Sequence, residues 1–368
     1  MVNKEKTFPV FKNNYTAIAM SSSDEYAPYL SVCLQSLIEH SSTNHNYDII
    51  IFERNMTQEH KRKLLYQVSQ PNISLRFVNL SGALNKNISI PKGAHYKEEC
   101  VLRLLAPRIL SNYKKIIFTD CDLLFQEDIQ KLYSIDIEGY PIAACVDYIM
   151  NAQYNIEWAD WKEYCSNTLK LDDIYKYFNT GVMLIDIPKF TEMNIEQVCF
   201  DILFGEKMRI LEQDALNKAL KNNIKFLDSK WNFEALQKQM YDWRFLEAMQ
   251  PHIKQAYLAD RKTHYILHFA SARKPWFYPN EELADRWWHY AKKTSFYEEI
   301  IYAMTEHQIN ESRKILIDIR DYKINVLKYL KYKIKGYFTK KDNKKLLYKL
   351  RCDEYSKKII RVKTFLDK

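Results

Sequence analysis

"KKIIFTDCDLLF" (residues 114–125) is an apolar run broken by a short polar passage that holds two aspartates one residue apart. A strand buried on both faces reads as a continuous apolar run, so "KKIIFT" predicts such a strand, with Asp120 and Asp122 at its carboxyl end. Period-2 geometry would project both carboxylates to the same side. Burying a carboxylate without a partner costs several kcal/mol, so the pair predicts a cation waiting for it. Two such groups make a hard-oxygen site for Mg²⁺ or Mn²⁺, which can in turn hold a diphosphate. The plain alternative for an Asp-x-Asp is a solvated turn or helix cap; the buried approach argues against it.

Upstream, the chain alternates. "TAIAM" (16–20), "YDIIIFE" (47–53) and "ISLRFVNL" (73–80) are apolar runs of strand length. Between them, "APYLSVCLQSLIEH" (27–40) sets Leu30, Cys33, Leu34, Leu37 and Ile38 on one helical face, with Pro28 in the first turn. A polar helix over 57–70 ends at Pro71, and another is expected around "KEECVLRLLAPRIL" (97–110). Strand–helix–strand order with unbroken apolar strands predicts an α/β fold, a mostly parallel central sheet flanked by helices. Ligands in such sheets bind beyond the carboxyl ends of the strands, where the aspartates stand. Downstream, strands are expected at 141–147, 177–187 and 264–270, and helices near 194–206 and 212–222. The Tyr/Trp-rich stretch 148–177 reads as irregular.

Composition narrows the classes. With 47% apolar and 14% aromatic residues the chain can bury a large core, which argues against disorder. Cysteines at 33, 100, 121, 145, 165, 199 and 352 show no paired spacing, against a disulfide framework or zinc site and for a reducing cytosol. Six glycines form no GxGxxG or GxxxxGK[ST], so a dinucleotide or P-loop cradle is missing. No signal-peptide core or membrane-length apolar run is visible, and the expected location is cytoplasmic.

Charge marks a boundary. Arg313–Lys368 carries 19 Lys+Arg against 6 Asp+Glu, whereas the preceding residues carry 36 against 40. In the tail, Ile324, Leu327, Leu330 or Lys331, Ile334 and Phe338 recur at helical spacing among lysines. Such a helix can lie on an anionic membrane surface, on the inner face of the cell membrane here, or pack as a terminal helix pair with a solvated lysine face. No nucleic-acid recognition module accompanies the basic cluster, so nucleic acid is not an expected partner.

Two enzyme readings of the aspartates remain open at this level. A phosphatase of the haloacid-dehalogenase type also places Asp-x-Asp after a strand, with Asp172–Asp173 as a later acidic pair, although "DCDLL" lacks the usual following Thr or Val. A non-enzymatic adaptor with a basic tail is a third reading. The other enzyme reading comes from six segments in order: "MSSSDEYAPYLSVCLQSL" (20–37), "LRLLAPRIL" (102–110), "KIIFTDCDLLFQEDI" (115–129), "FNTGVMLIDIPKF" (178–190), "EQDALN" (212–217) and "LHFASARKPW" (267–276). Together they resemble the family 8 retaining glycosyltransferases, in the pattern of bacterial lipopolysaccharide galactosyl- and glucosyltransferases. The resemblance covers roughly residues 15–290.

It implies a GT-A catalytic domain over 1–290 followed by a basic helical region over 291–368. It also implies a UDP-hexose donor, a saccharide or lipid-linked saccharide acceptor, and Mn²⁺ or Mg²⁺ held by Asp120, Asp122 and His268. Both strand ends are expected in one sheet. Lys274 matches a lysine that reaches the diphosphate, Tyr26 an aromatic stacking on the base, and Arg103 an arginine of the donor region. Asn179, Thr180 and Gly181 match the segment against the donor sugar; Asp147 and Glu212 match polar sugar contacts. Ser22, Ser23, Cys121 and Ser271 fall in the matching segments and join the donor set. Gln213 and Asp214 are placed at the reacting centre. The chain departs from the family pattern at Ser23 and Glu25, where an acidic residue and Asn usually help read uracil.

Overall fold

The apolar runs become strands of two sheets in the computed structural model, which describes residues 8–83, 98–156, 160–221, 223–242, 244–340 and 342–366. In chain order the strands are β1 (Tyr15–Ser23), β2 (Asn46–Arg54), β3 (Ile73–Asn79), β4 (Lys115–Thr119), β5 (Leu123–Phe125), β6 (Ile142–Val146), β7 (Phe178–Asp186), β8 (Lys225–Phe226), β9 (Phe233–Glu234) and β10 (Ile266–His268). The large sheet runs β3-β2-β1-β4-β7-β6-β8 and the small one β5-β10-β9. Strands β3, β2, β1 and β4 are parallel, as is the β6–β8 pair. Strand β7 runs against both its neighbours. The reversal matters for the site: it brings the start of β7, rather than its end, to the carboxyl ends of the parallel strands.

Alternation along the central strands sorts the core onto two faces. Ile18 and Met20 of β1, Ile49 and Ile51 of β2 and Ile117 of β4 pack into one cluster. Ala17, Ala19, Ile50, Phe52, Ile116 and Phe118 pack into the other. Helix Ala27–His40 closes the first face with Leu30, Cys33, Leu34 and Leu37, all buried. Burying its three leucines contributes roughly 5–9 kcal/mol before chain entropy is charged. The helix is tied onward to the small sheet, since Ser36 Oγ accepts from the backbone N–H of Phe125 at 2.9 Å.

Three expectations are corrected. Asp120 and Asp122 do not lie on one strand; they occupy the bend between β4, in the large sheet, and β5, in the small one. The turn rather than the pleat brings them together. His268 does not end a strand of the same sheet, because β10 belongs to the small sheet, antiparallel to β5 with His268 opposite Leu123. The stretch 148–177 is not irregular: it holds helices Tyr148–Gln153 and Trp161–Tyr164, a π-helical turn over Cys165–Leu169 and a 3-10 turn over Ile174–Lys176. These pieces are too short to leave a period in the sequence.

The chain divides into two compact units, Met1–Ile300 and Ile301–Lys368. Trp287, Tyr290, Phe296 and Ile300 still belong to the body's core. In the second unit, the later part of helix Tyr297–Phe338 pairs with helix Asp342–Leu366: the Tyr332 ring stacks on Tyr355 at 5.8 Å, and Lys328 lies over Tyr355. Leu327, Leu330 and Ile334 are exposed; the side chain of Phe338 lies outside the described residues.

Candidate active site

Where the carboxyl ends of β1 and β4 meet the start of β7 and the end of β10, a cavity of about 530 Å³ opens, within the size range of small-ligand sites. Asp120, Asp122 and His268 come together on its wall, with one potential ligand atom of each inside a 4.8 Å group. His268 Nε2 is 3.3 Å from Asp122 Oδ1 and 3.7 Å from Asp120 Oδ2. The bend is held from three sides. Asp120 N–H donates to the Gly181 carbonyl at 2.8 Å, and Phe269 N–H donates to the Asp122 carbonyl at 3.0 Å. The Arg103 guanidinium, itself buried, grips Asp120 Oδ1 and the Thr180 carbonyl.

A line of amides fixes the imidazole. Asn179 Nδ2 donates to Asp147 Oδ2 at 3.1 Å and to Glu234 Oε1 at 2.9 Å, so Asn179 Oδ1 must face the other way. There it accepts from Gly181 N–H and from Asn232 Nδ2, both at 2.8 Å. Asn232 Oδ1 is thereby turned to His268 Nδ1, 2.8 Å away, which must carry the proton. The lone pair is left on Nε2, aimed at the aspartates. Gly181 makes room for the ring: a Cβ there would sit 2.2 Å from His268 Cε1.

Whether these residues fit a divalent cation can be judged from the atoms themselves. Among the described residues, His268 Nε2 and Asp122 Oδ1 are buried without a hydrogen-bond partner. Two orphaned acceptors facing one another need something positive between them. Carboxylates with a neutral imidazole suit Mn²⁺ or Mg²⁺, with the nitrogen favouring the former. The residues fit. Burial works to raise the Asp122 carboxyl, but the Lys274 ammonium beside it outweighs burial and holds it well below the usual carboxylate range. Lys274 Nζ donates to Asp122 Oδ2 at 2.6 Å and to the Phe269 carbonyl at 2.7 Å, which sets a cation beside the metal position.

Beyond the aspartates the cavity is lined by carboxamides and carboxylates. Gln213 Oε1 accepts from Thr180 N–H at 3.0 Å, and its Nε2 donates to Asp147 Oδ2 at 3.0 Å. Asp147 also caps helix Tyr148–Gln153, accepting from Met150 N–H at 2.7 Å. Burial raises the Asp147 carboxyl, and raises that of Glu234 further with Asp147 nearby. Burial also pushes Glu212 up to about 7, against the pull of Arg103, whose Nε is 3.2 Å away.

Residues 17–279 match the profile of glycosyl transferase family 8. The chain belongs to that family. The general stress protein A of Bacillus subtilis is 24% identical over 295 residues, 77% of this chain and 96% of that protein. Lipopolysaccharide 1,3-galactosyltransferase of Salmonella typhimurium is 24% identical over 59% of this chain and 61% of its own length. A Haemophilus influenzae protein named as a glycosyltransferase is 30% identical over 219 residues, and the chain spans 62% of its length. Among solved structures, the bifunctional glycosyltransferase WbbM superposes with a TM-score of 0.71 over 82% of this chain and 53% of its own, at 24% identity. The galactosyltransferase LgtC, solved with donor and acceptor sugar analogues, gives 0.60 over 76% of this chain and 96% of its own, at 19% identity. The fold is that of the GT-A glycosyltransferases.

Within this family 8 frame most of the expected site residues line one cavity: Ser22, Ser23, Tyr26, Arg103, Asp120, Cys121, Asp122, Asp147, Asn179, Thr180, Glu212, Gln213, His268, Ser271 and Lys274. Gly181 lies beneath the imidazole rather than on the wall. Tyr26 stands edge-on to Trp276 at 6.0 Å, and Ser23 Oγ is buried without a partner among the described residues. Glu25 is exposed and is not part of the lining. Asp214 is the outlier. It is fully buried outside the lining, and its oxygens accept from Tyr164 and Tyr177 hydroxyls at 2.6 Å and from Arg209 and Ile210 N–H at 2.8 and 2.7 Å. Asp173, of the pair that a phosphatase would use, caps a 3-10 turn through Tyr175 N–H at 3.0 Å, and neither it nor Asp172 lines the cavity. Among residues that the sequence did not reveal are Asn232, Glu234 and Gln237, and Trp161 with Arg209, which also line the cavity. The two-residue strand in "WNFE" carries no period that could have announced Asn232 or Glu234.

Proposed function

We propose that this chain transfers a hexose, galactose or glucose, from a UDP donor to a saccharide or lipid-linked saccharide acceptor with retention at the anomeric carbon, in the assembly of a bacterial surface glycan. The observation that carries the reading is the pair of orphaned buried acceptors, His268 Nε2 and Asp122 Oδ1, in a cavity that also holds Lys274 and the Asp147–Gln213 pair. Mn²⁺ or Mg²⁺ held by Asp120, Asp122 and His268 would neutralise charge on the departing diphosphate. Lys274 adds a second, compact charge at the same oxygens. Asn179, Thr180, Asp147 and Glu212 hold the sugar, and Ser22, Ser23, Tyr26, Cys121 and Ser271 hold the nucleotide end.

Retention has two routes, a glycosyl-enzyme intermediate or attack from the leaving-group face. Gln213 is a poor nucleophile, and Asp214 is fully buried outside the cavity lining, with four donors on its oxygens. Same-face attack is therefore the route we adopt. The bond from C1 to the diphosphate oxygen breaks, the acceptor hydroxyl bonds to C1, and its proton passes to the departing diphosphate. Gln213, oriented by Thr180 N–H and Asp147, supports the oxocarbenium-like centre.

The basic second unit is read as a surface for anionic lipid on the cytoplasmic leaflet, which would bring the acceptor to the site. Exposed Leu327, Leu330 and Ile334 among lysines support it, each lysine near the surface contributing about 1 kcal/mol. No helix among the described residues is long and apolar enough to cross a membrane.

Thermal unfolding with Mn²⁺ and a panel of nucleotide sugars tests the activity. A UDP-hexose at about 100 times its dissociation constant should add ~2.7 kcal/mol. His268→Ala should abolish the metal-dependent part. Stabilisation by no nucleotide sugar, with or without metal, would leave the adaptor reading standing instead.

A further inference from the structure

One wall of the cavity takes no part in the donor reading. It carries Trp161, Arg209 and Ile210. Trp161 is partly buried, packed on the core beneath the large sheet while its indole lines the cavity. Its neighbours immobilise it. The Arg209 guanidinium lies 4.9 Å from its ring centroid, and Tyr164 meets it edge-on at 5.6 Å. Arg209 in turn lies 4.3 Å over Tyr164 and is chelated by Asp160 through two 2.7 Å bonds. The anchor is Asp214, which gathers the Tyr164 hydroxyl and the N–H groups of Arg209 and Ile210 on one oxygen. The carboxylate that follows Gln213 in the chain thus builds the wall beside it.

A clamped indole that packs on the core and also lines the cavity is suited to the C–H face of a pyranose, because little side-chain entropy remains to be lost. The guanidinium beside it already has a carboxylate on both its terminal nitrogens, so the wall offers shape rather than net charge. We propose that Trp161, clamped by Arg209 and Asp214, is the platform of an acceptor subsite for an uncharged pyranoside bound through its apolar face. The assignment rests on the glycosyltransferase reading above.

The test titrates methyl β-galactoside, methyl β-glucoside and lactose into the full chain loaded with UDP and Mn²⁺, following binding by saturation-transfer NMR and calorimetry. At least one saccharide should bind in the millimolar range. Trp161→Ala should weaken it tenfold or more, and Trp161→Phe, which keeps a ring, less than threefold. UDP affinity should differ less than threefold among the three proteins, which separates loss of the platform from loss of the fold. Equal saccharide binding by Trp161→Ala overturns the proposal, as does failure of all three saccharides to bind a wild-type complex that holds UDP. If UDP itself does not bind, the glycosyltransferase reading falls, and the platform with it.

Discussion

Gly181→Ala asks, with a single methyl group, whether the His268 ring must lie where it does. Gly181 is in the middle of the buried run of β7, and among the described glycines only Gly82 and Gly139 adopt positive φ. Alanine is therefore free of backbone strain there and meets only its surroundings. Its Cβ would lie 2.2 Å from His268 Cε1, 2.8 Å from Nδ1 and 2.9 Å from Asn179 Oδ1. To recover an ordinary 3.4 Å contact the ring must retreat by about 1.2 Å, whereas metal–ligand distances tolerate about 0.2 Å. The retreat also pulls Nδ1 from Asn232, 2.8 Å away, and releases the tautomer. Loss of an orienting partner alone costs about 10–100-fold in metal affinity. With the ligand itself displaced, the expectation is the upper end, about 100-fold or ~2.7 kcal/mol. Calorimetric titration of Mn²⁺ into both proteins in the presence of UDP reads it directly, with a urea midpoint for each to show that both are folded; overpacking should cost about 1–3 kcal/mol there. A folded Gly181→Ala protein that binds Mn²⁺ within threefold of wild type would refute the argument and remove His268 from the ligand set.

Three further outcomes are expected. Glu212 in the folded chain releases its proton near 7, above the 4.5 of an ordinary glutamate, so the folded state alone holds that proton between the two values. Stability from this group is present below about 4.5 and is lost as pH rises through 7, by on the order of 3 kcal/mol. Glu212→Gln should remove that slope, and a wild-type-minus-variant difference in unfolding free energy that is flat from pH 4 to 8 sinks the assignment. Asp214→Ala strands two buried hydroxyls and two N–H groups and should cost about 3–5 kcal/mol of unfolding free energy in urea; a loss under about 1 kcal/mol would contradict the anchoring role. Deleting 313–368 should abolish co-sedimentation with anionic vesicles, and undiminished sedimentation of the truncated protein would dispose of the membrane reading.

What the sequence made legible follows from length. Strands β1, β2 and β4 each carry a run of three or more consecutive apolar residues, and helix Ala27–His40 repeats its apolar face over nearly four turns, so both leave a signal. Of the small sheet, β10 falls within the strand expected at 264–270, but its sheet did not show, and β9, two residues long, left no period at all. Its members are tied in by hydrogen bonds across the chain, Asn179 Nδ2 to Glu234 of β9 over 55 positions among them. Asp214 misled for a different reason. Adjacent residues on a helix point about 100° apart, so within Leu211–Leu220 the neighbour of Gln213 faces the core. Trp161 lies in a four-residue helix whose significance comes only from what folds against it.

The aspartates stand on the short bridge between the two sheets, and the imidazole arrives from the smaller one. An ion gripping all three would act as a rivet through both layers. The β5-β10-β9 ribbon is too short to persist on its own pairing, so the fastening energy of that rivet doubles as the ribbon's rigidity. Amide protons of residues 266–268 should consequently exchange more slowly once manganese is added, a mechanical readout of site loading that needs neither sugar nor turnover.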